Sequence, residues 1–397
     1  MTSDTAPSDL DRSQWSGHTS ETFVDPRGRP APPEPATFSG DRGGFFGLIS
    51  RGAALEFVTL GFYRFWLATD MRRHLWSHTA VGGDAAEYVG TGRELLIGFL
   101  FALAILAPVY LLYFLAGIEA ERAKAFGSAP LFLFFYAFGQ FAIFRARRYR
   151  LTRTVWRGVR FWMTGSGLSY AVRAVLWGIP MALTLGLVLP WREAALERYK
   201  MRNSYYGDLQ GRFEGRGWDF FRQGWWLYPL AILSLAVVPL APFVYGLFKA
   251  TEWRWWLSGL RFGDVRMESA LGRGELISLY WKAIGWMLLL ALALGFYLWA
   301  VAAAVSSASG VPVNKLFAAG LSSGSMVFVA LLAAGYLVFL LAASVVMRVY
   351  LLRDLWERVI GSVEVHNLVA ADNVTGLGAA ASALGEGLAD GLDVAGF

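Results

Sequence analysis

Apolar residues are concentrated in long runs, separated by shorter stretches rich in glycine and arginine. A helix needs about 20 predominantly apolar residues to cross the hydrocarbon layer of a bilayer. Four runs meet that length: 95–117, 225–248, 284–305 and 324–347. A fifth segment, 126–144, meets it only when its first five residues are counted. This pattern predicts several transmembrane helices.

Two further segments, 44–68 and 170–191, are apolar but interrupted. The first contains Arg51, Glu56 and Arg64, and a charge at the bilayer centre costs at least about 2.5 kcal/mol. Each segment therefore either spans the membrane or enters and leaves on one side. Ionisable residues inside a membrane indicate a functional site, so these three form a candidate polar site. If the segment lies at the interface, their side chains simply extend to water.

One motif occurs in both interrupted segments, with four residues between its glycine and its tryptophan. The copies are Thr59-Leu60-Gly61 with Trp66, and Thr184-Leu185-Gly186 with Trp191. The same shift aligns Gly92 with Gly217 without a gap. Such regular self-similarity predicts duplicated units. Glycine allows close helix approach and tryptophan anchors at the interface, so the motif either lines a pathway or only packs.

These patterns predict an all-α polytopic membrane protein with internal repeats and roughly five to seven transmembrane helices. Whether 44–68, 170–191 and 225–248 span or re-enter stays open. Residues 1–37 hold six of the 14 prolines and predict a disordered arm. Residues 38–375 form the predicted membrane domain, and 376–397 a Gly/Ala-rich acidic tail.

The composition agrees with a membrane protein. The chain is 56% hydrophobic and only 17% charged, with a net charge of +6. Basic residues cluster between apolar runs, as in the cytoplasmic flanks of membrane helices. Stretch 145–169 carries seven arginines and is predicted to be cytoplasmic. Stretch 192–224 carries seven basic residues as well, which favours re-entrant neighbours, because two spans would place it in the periplasm.

The arginine clusters alternate with aromatic residues, and such surfaces attract anionic lipid headgroups. Membrane lipids are therefore the predicted partners, and nucleic acid is not. The predicted headgroup contacts are Arg147, Arg148, Arg153, Arg157 and Arg160. Setting the topology would require the same residues without any binding role.

The sequence offers little for catalysis. No cysteine is present, which excludes disulfides and thiolate sites. His74 and His78 share a helical face, but no third metal ligand is evident, and interfacial histidines explain them better. No catalytic residues, metal site or cofactor is predicted, and the protein is not expected to be an enzyme.

Several motifs resemble a known family. Thr59-Leu60-Gly61 with Trp66, and the later Thr164-Gly165-Ser166-Gly167, are similar to the repeated signature of the YjgN-like bacterial inner-membrane proteins. The resemblance implies a multi-pass inner-membrane protein with a domain of unknown function and transfers no catalytic residues. The residue before the tryptophan is Phe65 in the first copy and Pro190 in the second. The two copies are therefore expected to bend differently.

Two functions compete. The first is transport or permeation of a small molecule, ion or lipid, since internal repeats and interrupted spans are features of transporters. The alternative is a non-catalytic envelope protein that organises lipids or partners through its arginine–aromatic loops. A polar cavity reaching Arg51 and Glu56 would favour transport.

Overall fold

Ten short strands form a closed antiparallel barrel. The computed structural model describes residues 32–122, 128–313 and 326–378. The strands are β1 (Glu34–Phe38), β2 (Thr79–Val81), β3 (Asp84–Tyr88), β4 (Thr154–Trp156), β5 (Val159–Met163), β6 (Ser204–Tyr206), β7 (Leu209–Phe213), β8 (Leu260–Phe262), β9 (Val265–Ser269) and β10 (Val363–His366). The last residues of the predicted arm thus form β1, which pairs with both β2 and β10 and closes the barrel.

Four hairpins share one design: a strand of three residues, a two-residue turn and a strand of five residues. The first turn residue always has a positive φ, at Gly82, Arg157, Gly207 and Gly263. Glycine adopts that conformation at little steric cost. Turns with φ > 0 match the right-handed twist of the strands they join, which accounts for the tight hairpins.

The predicted all-α class is wrong. The glycine- and arginine-rich stretches between the apolar runs are the hairpins of the barrel. Their strands have three to five residues. They therefore do not produce the apolar runs of about 20 residues that indicate a transmembrane helix.

Twelve α-helices lie in the described ranges. They are α1 (Arg42–Val58), α2 (Arg64–Ser77), α3 (Gly92–Arg122), α4 (Ser128–Thr152), α5 (Gly167–Leu183), α6 (Leu189–Arg202), α7 (Gly217–Gly224), α8 (Leu227–Ala236), α9 (Ala241–Gly259), α10 (Ile277–Ser309), α11 (Met326–Val346) and α12 (Asp354–Gly361). A π-helical segment, Met347–Arg353, joins α11 to α12.

Three helical segments of the described chain are long and apolar enough to cross a membrane: Gly92–Leu115, Ile277–Ser309 and Met326–Gly361. The prediction of five to seven transmembrane helices is therefore wrong. The apolar helices Gly167–Leu183 and Leu227–Ala236 are shorter, because the interrupted runs break into helical hairpins.

Every helical excursion leaves and rejoins the barrel at the same end. Antiparallel pairing places the two-residue turns at one end and the helix connections at the other. Helices α1–α2 connect β1 to β2, α3–α4 connect β3 to β4, α5–α6 connect β5 to β6, α7–α9 connect β7 to β8, and α10–α12 connect β9 to β10. The turn end is therefore free of helices that connect strands.

Residues 367–378, here called the C-terminal cap, lie across the turn end. Arg157 in the second turn pairs with Asp372 at 2.5 Å, and the Thr375 N–H donates to Asp208 Oδ1 in the third turn at 3.1 Å. Leu368 packs with the buried residues of the barrel core. The chain thus covers the turn end of its own barrel. The rest of the predicted tail, 379–397, and residues 1–31 lie outside the described residues.

Candidate functional site in the first Thr-Leu-Gly hairpin

The Thr-Leu-Gly motif forms the tip of a helical hairpin. Thr59 Oγ1 donates to the Leu55 carbonyl at 2.7 Å and accepts from the Tyr63 N–H at 2.9 Å. The chain reverses through left-handed conformations at Leu60 (φ 51°) and Gly61 (φ 89°). Leu60 is 90% exposed at the tip. The hairpin α1–α2 therefore ends in an exposed apolar side chain.

The second copy adopts the same tip between α5 and α6. Leu185 has φ 49° and Gly186 φ 90°, and Thr184 Oγ1 donates to the Pro180 carbonyl at 2.7 Å. Leu185 is 94% exposed. The expected difference from Phe65 and Pro190 is not seen at the tips. Pro190 is the second residue of α6, where a missing N–H removes no intrahelical bond.

The motif tryptophans and the shifted glycines pack together. A Cβ added to Gly92 would lie 2.8 Å from the Trp66 Cα, and one on Gly217 would lie 2.7 Å from the Trp191 Cα. Only glycine allows this approach. In both copies, the glycine that begins the next helix thus seats against the motif tryptophan.

An open groove of about 1010 Å³ runs along the first hairpin. On α1 it is lined by Gly44, Gly47, Leu48, Arg51 and Gly52. The opposite walls come from α2 and from the end of β3. We call this cavity the hairpin groove. Part of its space lies beside Gly47, where an added Cβ would meet nothing within 4 Å.

Charges of both signs line the hairpin groove. Arg73 donates to the Gly90 carbonyl at 2.8 Å and lies 3.7 Å from Asp70, and Glu87 is exposed at the barrel end. Within the described ranges, Arg51 has no hydrogen-bond or ion-pair partner. A guanidinium offers five donors, so Arg51 is available to bind an anionic group from outside the chain.

His74 lies between the hairpin groove and the core. Its ring is 4.2 Å from that of His78, centroid to centroid. Burial, together with the charge that His78 can carry, lowers the pKa of His74. The imidazole is therefore neutral at neutral pH, and the positive charges on the groove wall are those of arginines.

The structure separates the three predicted polar residues. Glu56 pairs with Arg348 at 3.1 Å, and the Arg64 guanidinium lies 4.9 Å from the centre of the Phe99 ring. Only Arg51 lines the hairpin groove. Of the three predicted site residues, only Arg51 therefore lies at the hairpin groove. Glu56 forms an ion pair within the protein.

The arginines predicted to contact lipid headgroups bind within the protein. Arg147 pairs with Glu197 at 2.7 Å, Arg153 with Glu94 at 2.8 Å and Arg157 with Asp84 and Asp372, Arg160 donates to the Thr152 carbonyl, and Arg148 has a buried Nε. Contact with headgroups stays a prediction for these residues.

Sequence reasoning missed a buried charge cluster on α6. Glu197 is only 4% exposed and lies between Arg147 and Lys200, at 2.7 and 2.5 Å. Burial raises the pKa of the carboxyl, but the two cations outweigh this effect and hold it at about 2. The sequence did contain a signal for this cluster. Charged residues spaced three to four apart, Glu193, Glu197 and Lys200, lie on one face of a helix and can interact.

The fold and its apolar helices define a class: a helical, membrane-compatible protein assembled around a small closed barrel. A family model described as a bacterial protein of unknown function, DUF898, matches residues 33–253 and 213–366. The chain belongs to this family, which is the YjgN-like family, so the predicted resemblance is confirmed. No curated protein and no solved structure matches the chain.

Proposed function

We propose that this protein is a multi-pass protein of the bacterial inner membrane, built from duplicated hairpin units, with its barrel in the cytoplasm. Three helical segments have the length and composition of spans, and all helical excursions start at one end of the barrel. The barrel carries the arginine-rich stretches, which stay on the cytoplasmic side. By the same connectivity, α4 returns the chain across the bilayer after α3, and α1–α2, α5–α6 and α8–α9 enter and leave the bilayer from the cytoplasm.

Within that arrangement, the proposed function is transport of an amphiphile whose polar head passes along the hairpin groove. The observation that carries this proposal is Arg51, a cation without a partner in the described chain, on the wall of an open groove of about 1010 Å³. A soluble solute needs an enclosed path. An open groove suits a molecule whose tail stays in lipid while its head is screened by polar walls.

The test is lipid movement across vesicles that contain the purified protein. Vesicles carry a fluorescent phosphatidylglycerol, and a membrane-impermeant reductant bleaches the outer leaflet. After the outer leaflet is bleached, the remaining fluorescence decays slowly as lipid moves from the inner to the outer leaflet. We expect the wild-type protein to speed this slow phase about ten-fold, which corresponds to lowering the activation barrier for lipid movement by about 1.4 kcal/mol. Arg51→Gln should lose most of this gain.

The matched control is Arg173→Gln on α5. The Arg173 guanidinium lies 4.2 Å from the centre of the Tyr199 ring, outside the hairpin groove, so this variant should keep the wild-type rate. A wild-type rate equal to that of protein-free vesicles, or equal rates for wild type and Arg51→Gln, would overturn the proposal. No enzymatic activity is proposed.

A further inference from the structure

Three arginines lie side by side on the outer face of the barrel. Arg212 on β7 is directly opposite Arg261 on β8, and Arg261 is directly opposite Arg266 on β9. The residues next to them along each strand pack in the barrel core. Because side chains alternate between the two faces of a strand, the three arginines point outward. We call these three residues the basic row.

Only the middle arginine of the basic row has its charge compensated. Arg261 lies 3.2 Å from Glu214 and donates to three backbone carbonyls. Arg212 and Arg266 are exposed, and neither has a hydrogen-bond or ion-pair partner among residues 32–122, 128–313 and 326–378. Like charges at directly opposite positions destabilise a sheet. The row is therefore a surface that an acidic partner would stabilise.

The last described residues of the chain lie close to the basic row. A Cβ added to Gly378, at the end of the C-terminal cap, would lie 2.6 Å from Trp162 Cγ on β5. Strand β5 pairs with β6, and β6 pairs with β7, the strand that carries Arg212. Neighbouring strands are about 4.8 Å apart. From Trp162, the row therefore begins about 10 Å away, at β7, and ends about 19 Å away, at β9.

Residues 379–397, here called the tail segment, carry the opposite charge. They contain Glu386, Asp390 and Asp393 and no basic residue. Glu386 is the eighth residue after Gly378, and eight extended residues span at most about 28 Å. All three carboxylates can therefore reach the basic row of the same molecule.

Other contacts around the basic row argue against two other partners. Bases of single-stranded nucleic acid stack on aromatic rings, but the Trp162 ring already stacks on Tyr205, with ring centres 4.3 Å apart, and Gly378 contacts it as well. On β9, Glu268 lies 3.6 Å from the His366 imidazole and leaves Arg266 open. The tail segment is the acidic partner that the chain itself brings to this surface.

We infer that the tail segment binds the basic row of its own molecule, with its carboxylates beside Arg212 and Arg266. The contact offsets the repulsion between the opposite arginines and holds the tail segment against the outer wall of the barrel. It is separate from the hairpin groove and does not depend on transport.

The experiment measures the distance between the tail segment and the barrel in the full chain. Because the chain has no cysteine, nitroxide labels can be attached at Thr37→Cys on β1 and Leu388→Cys, and their separation measured by pulsed electron paramagnetic resonance. We expect one narrow distance in the labelled parent. An unbound segment of ten residues, from Gly378 to Leu388, would instead spread the distances over about 17 Å.

Charge variants test what holds the tail segment. Arg212→Gln combined with Arg266→Gln should broaden the distances to those of an unbound segment. Salt at about 1 M should do the same, because it screens charges beyond about 3 Å. The matched control, Arg93→Gln combined with Arg273→Gln, removes two exposed arginines outside the basic row and should keep the narrow distance.

Thermal melting of every variant confirms folding. Broad distances in the labelled parent, or a narrow distance that persists without Arg212 and Arg266, would overturn the inference. Broad distances in the parent, together with binding to phosphatidylglycerol micelles that requires the two arginines, would assign the basic row to lipid headgroups instead. None of these outcomes changes the result expected from the Arg51 flip assay.

Discussion

The two Thr-Leu-Gly hairpins have the same backbone conformation at the tip but different side chains on the equivalent helical surface. Their turns match within a few degrees of φ, yet equivalent positions differ in chemistry. Gly47 and Arg51 of α1 correspond to Val172 and Leu176 of α5, which are 52% and 59% exposed. The first hairpin therefore presents a polar groove where the second presents an apolar surface. The backbone design is separable from the surface that it displays.

The buried charges of the two hairpins also differ. Glu197 of α6 corresponds to Arg72 of α2, and both are buried. Arg72 lies over the Tyr88 ring, 5.9 Å from its centre, whereas Glu197 joins two cations. Glu197 of the second hairpin thus forms ion pairs inside the protein, whereas Arg51 of the first hairpin remains accessible to a ligand.

The largest expected effect is on the second hairpin. Glu197→Gln leaves Arg147 and Lys200 without their carboxylate, and breaking a buried pair costs about 3–5 kcal/mol. The free energy of unfolding in mixed micelles at pH 7 should fall by that amount. In the first hairpin, Glu56→Gln should cost about 1 kcal/mol or less, because that pair is partly exposed.

This effect depends on pH with a defined sign. The ordinary pKa of 4.5 is lowered to about 2 in the folded protein. The carboxylate therefore stabilises the fold above pH 4.5, and this stabilisation is lost as the pH falls toward 2. The difference between wild type and Glu197→Gln should shrink over that window. If the difference in free energy of unfolding stayed constant between pH 4.5 and 2, the ion pairs of Glu197 would not be its source.

The next effect tests whether the tips are equivalent. Gly92→Ala and Gly217→Ala each push a methyl group against a tryptophan backbone, and such overpacking costs about 1–3 kcal/mol. Thermal melting should show similar losses for both. Gly139→Ala has no neighbour within 4 Å and should instead stabilise its helix slightly. A loss confined to one hairpin would contradict the common design.

The sequence predicted the family, and its apolar runs indicated helices compatible with a membrane, because motif spacing and apolar runs are local signals. It marked both hairpins through the repeated motif but did not predict that the motif forms their tips. The barrel was missed because strands such as Thr154–Trp156 are three residues long and paired with distant segments. The hairpin groove was also missed. It depends on Gly47 facing α2, and a glycine in a sequence does not show whether the space beside it is filled.

The smallest expected effect concerns His74, which corresponds to Tyr199 in the second hairpin. The folded state lowers the pKa of His74 below its ordinary 6.5. Protonation then favours the unfolded state, so this contribution to stability decreases as the pH falls below 6.5. His74→Phe should reduce the drop in melting temperature between pH 7.5 and 5.5. An unchanged drop would exclude His74 as its source.

The central claim is that both hairpins enter and leave the membrane from the side of the barrel. Since the chain has no cysteine, single cysteines can be labelled with a membrane-impermeant maleimide in sealed spheroplasts. Gln210→Cys, on β7 of the barrel, should react only after lysis, whereas Ser309→Cys, at the end of α10, should react in sealed spheroplasts. Labelling of Gln210→Cys before lysis would place part of the barrel in the periplasm and contradict the account.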